Sequence, residues 1–344
     1  MKKSMTYTMS TVSVVDALAM AAPAAADGHG KAAEFYKGKT VTVMIPSSLG
    51  GTLGLYGRLV VENLGKHIPG NPTVIIQSRP GGGGTKGAAY AYNAAPKDGT
   101  FIAEVLAPSV LAPLVRKVKF DASKFQWIGS VVPRPAVISV WREGATVSSV
   151  DDAKKNEAIL GSTGLGSETY LAPTLLNHIA GTKFKIVKGY KGGAEVNKAM
   201  EAGEVNGRMN YWSGWTAGKP KWIADNKLIH LVSYGNKIPE LPNVPGLMSY
   251  AKTDEERKMV AFLEVCAKVG MGFWVPEGVP AGRVKALQVA FKAMMDDPEF
   301  AAAAKKRKAP IEYVSPADLT KYVNDVYKTS PATIAKLKQV FGFK

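Results

Sequence analysis

The chain has 344 residues, 46% of them hydrophobic and 21% charged, which is enough for two domains with their own cores. A single cysteine, Cys266, excludes an intramolecular disulfide and a thiolate cluster, and the four histidines (His29, His67, His178, His230) lack metal-ligand spacing, so neither metal nor cofactor is expected. The formal charge of +16 favours an anionic partner, yet the basic residues are spread along the chain without the motifs of nucleic-acid modules, so small acids are expected and nucleic acid is not.

At the N-terminus, Lys2 and Lys3 precede a mostly apolar stretch, 12–21, and the small-residue run Ala22-Pro23-Ala24-Ala25-Ala26. This is the layout of an export signal over 1–26, with Asp16 out of place inside it. No later segment offers about 18 uninterrupted apolar residues, so the remainder is expected to be soluble outside the cytoplasm. A polar lead, 28–39, follows.

Val41, Val43, Met44 and Ile45 form a short apolar run ended by Pro46, and Tyr56, Leu59, Val60, Asn63 and Leu64 recur at helical spacing. Residues 47–52 therefore join a strand end to a helix start. Unpaired backbone N–H groups and a partial positive charge favour an anion there. Ser47 and Ser48 add hydroxyls, and Gly50 and Gly51 let a ligand approach the backbone. For any one such turn, an ordinary βα connection that binds nothing is the alternative.

A second strand, 73–77, leads into Gly81-Gly82-Gly83-Gly84 and a helix ending near Asn93; a third strand covers 100–106. Strands alternating with helices predict a parallel α/β sheet with ligand turns at strand C-termini. Residues 82–87 fit a G-x-G-x-x-G pattern, but no acidic residue closes the next strand, since Glu104 lies within it. A glycine-rich anion loop is the better reading than a nucleotide fold. Ser109 opens a further turn, and 120–130 reads as an aromatic-rich connection.

A second α/β unit follows a strand at 137–141. It comprises a short helix from Asp151, a strand near 158–160, the turn 161–167 with Ser162, Thr163, Gly164 and Ser167, and a helix over 168–179. The device recurs at 184–193, where Tyr190 and Gly193 precede another helix, then strands near 205–210 and 228–234. Trp212 and Trp215 read as core, with a pocket lining as the alternative. A strand at 269–275 returns toward the first unit, and the C-terminal segment is helical. There Asp297-Pro298, Ser315-Pro316 and Ser330-Pro331 mark helix starts. There is no G-x-S-x-G elbow, and no histidine sits in a glycine turn. Groups of this kind hold an anion without transforming it; an enzyme reading rests only on Glu168 and Tyr190.

These segments, in this order, resemble the extracytoplasmic solute-binding proteins of tripartite tricarboxylate transporters, the TctC or Bug family. The matching motifs are Ile45-Pro46 to Gly50-Gly51 with Arg58, Arg79-Pro80-Gly81-Gly82-Gly83-Gly84, and Ala95-Pro96-Lys97-Asp98-Gly99-Thr100. Others are 161–167, Gly189-Tyr190-Lys191-Gly192, Gly203-Glu204-Val205, and Val275-Pro276 with Val279-Pro280. The resemblance implies a two-lobe α/β, type II-like solute-binding fold joined by two crossing strands, with lobes at 35–137 plus 265–344 and at 138–264. It implies a monomeric, periplasmic, non-enzymatic protein that captures a small organic acid for membrane permease subunits. A ligand-sensing subunit of the same fold without a dedicated permease is the alternative. By resemblance, Ser47, Ser48, Gly50, Gly51, Gly82 and Gly83 belong to the first jaw. Ser162, Thr163, Gly164 and Ser167 hold a carboxylate from the second, with Tyr190 and Gly193 nearby. The family's usual Asp after the Gly-Gly pair is replaced by Gly54, and Ser47-Ser48 replaces a Phe-Ala type of pair.

Overall fold

A computed structural model describes residues 23–344. The charged and apolar parts of the expected export signal lie outside these residues. The expected polar lead is instead helical: α1 (Pro23–Tyr36) runs almost to the first strand. Buried Ala32 and Tyr36 and half-buried Phe35 give it one apolar face against the first core, and the Tyr36 hydroxyl donates to the Gly99 carbonyl at 3.1 Å. Local polarity hid three apolar residues placed at i, i+3 and i+4.

The first unit then runs β1 (Thr40–Ile45), α2 (Thr52–Leu64), β2 (Thr73–Ser78), α3 (Thr85–Asn93), β3 (Phe101–Glu104), α4 (Pro108–Val115) and β4 (Gln126–Ser130). The segment expected to be an aromatic connection thus contains a strand. Trp127 and Ile128 alternate between two cores, as pleated neighbours must.

The second unit comprises β5 (Ala136–Trp141), α5 (Val150–Lys155), β6 (Glu157–Ser162), α6 (Glu168–Ala180), β7 (Lys183–Lys188), α7 (Gly193–Glu201) and β8 (Gly207–Tyr211). It continues through α8 (Trp212–Thr216), α9 (Pro220–Ala224) and β9 (Leu228–Tyr234). The return consists of α10 (Asp254–Val269), β10 (Gly272–Val275), α11 (Ala281–Asp296), α12 (Pro298–Lys306), α13 (Pro316–Tyr327) and α14 (Pro331–Phe341).

Two five-stranded sheets result, ordered β2-β1-β3-β10-β4 and β7-β6-β8-β5-β9. In the first, β1 pairs parallel with β2 and β3, whereas β10 is antiparallel to both neighbours. In the second, β6 pairs parallel with β7 and β8, whereas β5 is antiparallel to both neighbours. Each antiparallel strand is the one that has just crossed from the other unit. The fold is therefore a two-lobe α/β architecture. The expected lobe limits at 137/138 and 264/265 fall inside β5 and α10; the chain changes sheet at 131–135 and again over 235–271.

The two passages lie side by side. The Val131 amide donates to the Met271 carbonyl at 3.1 Å, and the Met271 amide donates to the Val132 carbonyl at 3.0 Å. Helix α10, which delivers the chain to the second passage, was not foreseen. It starts on a capping box in which Thr253 and Glu256 satisfy each other's backbone amides.

Asp297, Ser315 and Ser330 do cap their helices, accepting from the Glu299, Asp318 and Thr333 amides at 2.8, 3.1 and 3.2 Å. Helices α11 and α12 cover the first sheet through Leu287, Phe291 and Phe300. Leu337 and Phe341 of α14 instead join Leu111, Leu171 and Leu263 in a core shared by α4, α6 and α10. The C-terminus thus straps the two lobes together.

Candidate functional site

The C-terminal ends of β1 and β2 and those of β6 and β7 feed glycine turns that face one another across the lobes. A Cβ placed on Gly83 would stand 3.0 Å from the carbonyl of Gly166, and one on Gly192 would stand 3.6 Å from Ser48 Oγ. Gly83 has φ 66, a left-handed conformation suited to a residue without a side chain. The Arg116 guanidinium, held near the end of α4, packs on Gly166. Loops from the two lobes therefore meet at two points.

The first-lobe loop is braced from within. The Arg58 Nη1 donates to the Leu49 carbonyl at 2.7 Å, and Ser47 Oγ donates to the Ser48 carbonyl at 3.2 Å. Gly51 is the N-cap of α2 and has no side-chain cap, so the first amides of that helix remain open to a ligand. Ser48, Gly50 and Gly51 are exposed. A side chain at Gly54 would collide with the Leu49 carbonyl, so the path of this loop requires glycine there. In the second glycine loop Gly82 is exposed, and the buried Ser109 Oγ donates toward the Gly83 carbonyl at 3.5 Å.

In the second lobe, Ser162, Thr163, Gly164 and Ser167 form one connected loop. Thr169 is its centre: its hydroxyl meets Ser162 Oγ at 3.0 Å and Ser167 Oγ at 2.9 Å and accepts the Thr163 amide at 3.1 Å. The Gly164 amide donates to Ser162 Oγ at 3.1 Å. The Ser162 and Ser167 hydroxyls thus hold the loop's shape, and Ser167 caps α6. Tyr190 does not join this cluster; it packs on the lobe's own core beside Gly161. Gly193 begins α7, and its carbonyl accepts from Arg208 Nη1 at 2.6 Å. Trp215 is fully buried, as expected for core, while Trp212 forms one wall of an open groove of about 530 Å³ whose far wall runs from Ala301 to Ile311.

Beneath these loops lies a buried polar seam. The Glu168 carboxylate, the first residue of α6, accepts from the Tyr211 and Tyr234 hydroxyls, the latter at 2.7 Å. Burial pushes its pKa up, and the two phenols pull it down. Arg134, on the first passage between lobes, stacks on the Tyr211 ring. Glu104, at the end of β3, is also buried, and desolvation raises its pKa well above the carboxylate range, opposed by Arg134. Among the described residues no group of three or more His, Cys, Asp and Glu side chains could hold a metal ion, and no helix is long and apolar enough to cross a membrane.

Loops at strand C-termini, facing each other from two lobes, fit a clamp for a small anion. The family model for the tripartite tricarboxylate transporter family receptor matches residues 57–338. The chain belongs to this receptor family. It is 26% identical over 318 residues to the UPF0065 protein in the gbd 5'region of Cupriavidus necator, covering 89% of each chain. Its fold resembles that of the periplasmic binding protein BugD (TM-score 0.69, 22% identity, 89% of this chain and 98% of that one). It also resembles a Rhodopseudomonas palustris protein solved with adipate (0.66, 21%, 88% and 97%) and MatC of the same organism with bound malate (0.66, 18%, 88% and 99%).

In this receptor the seam of Glu104, Arg134, Tyr211 and Tyr234 is what sequence reasoning overlooked. Two signals were present: a lone carboxylate in the otherwise apolar strand Phe101–Glu104, and an arginine between two prolines just before the apolar strand Ala136–Trp141. Either residue is too costly to bury without a purpose.

Proposed function

We propose that this receptor is an extracytoplasmic solute-binding protein that closes its lobes on a small organic acid and presents it to the permease subunits of a tripartite tricarboxylate-type transporter. The observation that carries this reading is the meeting of loops from opposite lobes at two points, Ser48 of 47–52 against Gly192 and Gly83 against Gly166. Neither Gly51 nor Gly192 supplies a side-chain cap, so backbone amides at the start of α2 and, opposite it, at the start of α7 supply donors for a carboxylate. Closure then stabilises the bound state because only the closed form places both sets of donors on one ligand. The named ligands of two structural neighbours, adipate and malate, support an acid of this size. Export to the periplasm and action as a monomer without catalysis belong to the same reading. A thermal-shift screen against mono-, di- and tricarboxylates tests it: at least one acid raises the melting temperature in a dose-dependent way. A flat response across the panel refutes the proposal. Co-purification from membranes then tests the permease partners.

A further inference from the structure

The groove beside Trp212, about 530 Å³ in volume, takes one wall from each lobe, and none of the loops at the cleft lines it. On the second lobe stand the Trp212 indole, held edge-on by the His230 ring, and exposed Glu240. On the first lobe stand Ala304 and Ile311, with exposed Lys305 and Lys308 beside them. The groove is therefore apolar inside and basic along one edge. Among the described residues neither lysine nor Glu240 has an ion-pair partner. Arg307, between the two lysines, does have one, in Glu62 at 2.6 Å.

Lys308 also stands in a backbone conformation that does not suit it. Helix α12 ends at Lys306, and the Lys308 amide then donates to the Lys305 carbonyl while the Ala309 amide donates to that of Ala304, both at 3.0 Å. This is the Schellman ending, whose left-handed position is normally glycine and sometimes asparagine. Three non-glycine residues have positive φ among the described residues; two are asparagines, and the third is Lys308 at φ 51. A lysine there carries strain that glycine would not. Strain of this kind persists at sites where the side chain has a use, and this side chain lines the groove.

We propose that this groove is a docking site for an acidic segment of a partner protein, one whose apolar side chain enters between Trp212 and Ile311 while its carboxylates meet Lys305 and Lys308. The site does not depend on which acid the clamp takes. Charge complementarity selects the partner: two unpaired lysines, with exposed Lys306 next to them, attract carboxylates spaced along a chain. Glu240 on the opposite wall repels a continuous phosphate backbone but can accept a peptide N–H. The apolar walls are recessed between the lobes, where a side chain reaches and a flat lipid surface does not. A rigid indole in a desolvated recess is the usual anchor of such a contact.

Fluorescence anisotropy with labelled, end-blocked pentapeptides on the full chain tests this. Asp-Glu-Phe-Glu-Asp is expected to bind about tenfold or more tightly than either Asp-Glu-Gly-Glu-Asp or Lys-Lys-Phe-Lys-Lys, and to weaken as salt is added. Lys308→Gly is expected to weaken that peptide about fivefold or more, while raising the melting temperature by about 1–2 °C because glycine suits the left-handed position. A lysine with a merely structural role would not lose binding and gain stability together. Lys305→Gln, at an exposed helical position, should weaken the peptide as well and supports the assignment without relying on the turn. Equal affinity for the phenylalanine and glycine peptides, unchanged affinity in K308G, or a lowered melting temperature in K308G overturns the proposal. So does displacement of the peptide by octanoate, which would make the groove a site for a small amphipathic acid. Lys308-dependent binding to phosphatidylglycerol vesicles without binding to the peptide would assign the surface to a membrane and overturn it too.

Discussion

The guanidinium carbon of Arg134 lies 3.2 Å from the centroid of the Tyr211 ring, and the hydroxyl of that ring donates to Glu168 at the start of α6. One contact thus links the passage between lobes to the helix whose N-terminus faces the cleft. A stacked, buried cation of this kind is worth on the order of 2 kcal/mol when desolvated. It also fixes the direction in which the guanidinium edge points, which a flexible lysine would not do. A change of angle at 131–135 therefore moves Tyr211 and, through it, the Glu168 carboxylate.

The Tyr234 hydroxyl is the simplest probe of that link. Tyr234→Phe removes one of two donors from a buried carboxylate and is expected to cost about 2 kcal/mol at neutral pH. The sign of the pH dependence follows from burial. The folded-state pKa of Glu168 lies above its unfolded value, so folding favours the protonated form, and that stabilisation is lost as pH rises through the folded pKa. Removing a phenol raises the folded pKa further. Urea unfolding should show the deficit of Y234F shrinking as the pH is lowered; a deficit independent of pH would assign the cost to packing.

Ser48 is exposed on one jaw, with Gly192 opposite. Ser48→Trp is expected to leave the ligand-free melting temperature unchanged, because an exposed loop position supports no core. Affinity for the stabilising acid should fall by about tenfold or more, because the indole stands where the lobes meet. Calorimetry decides this, and undiminished affinity would show that the loops do not close on the ligand at this point.

Much of the scaffold was legible in the residues themselves. Apolar runs of strand length and helical spacing placed every strand of the second sheet and all but β4 of the first, and three N-cap–proline pairs located helix starts. Failures occurred where tertiary context outweighs local pattern. The strand Gln126–Ser130 hid in an aromatic stretch because its faces serve two different cores. Tyr190 shared a glycine turn with the candidate site but turns onto its own lobe. The serines of 162–167 share one turn, and their hydroxyls face Thr169, whose central position no spacing rule reveals. The Glu104–Arg134 pair joins residues from a strand end and a crossing, so only the fold brings the two together.

His230 supplies a second pH effect, of opposite sign. Its Nδ1 lies 2.8 Å from Ser139 Oγ, its ring packs edge-on against Trp212, and burial with the charge of Arg142 lowers its pKa to about 4. Between the unfolded value near 6.5 and about 4 the unfolded chain binds more protons, so stability falls as pH drops through that window. The loss is at most about 3 kcal/mol, less in practice because the ring is partly exposed. His230→Gln keeps a polar group beside Ser139 and should flatten this part of the stability–pH curve. An unaltered slope would assign the acid sensitivity to other groups.

Gly270, between α10 and the second passage, has φ 58 and ψ −126, a conformation open almost only to glycine. A Cβ there would collide with the Val132 carbonyl, the acceptor of the Met271 amide, and come within 2.9 Å of Pro133 Cα. Gly270→Ala therefore meets two costs together, backbone strain and a clash between the passages, and is expected to destabilise by about 3 kcal/mol or more. If the variant folds, the passages must separate, and the seam anchored on Arg134 turns with them. Ligand affinity should then fall even though Gly270 has no place in the loops at the cleft. Urea unfolding gives the stability and calorimetry the affinity. Lost stability with wild-type affinity would mean that the passages are a fixed strut and that closure bends the chain elsewhere.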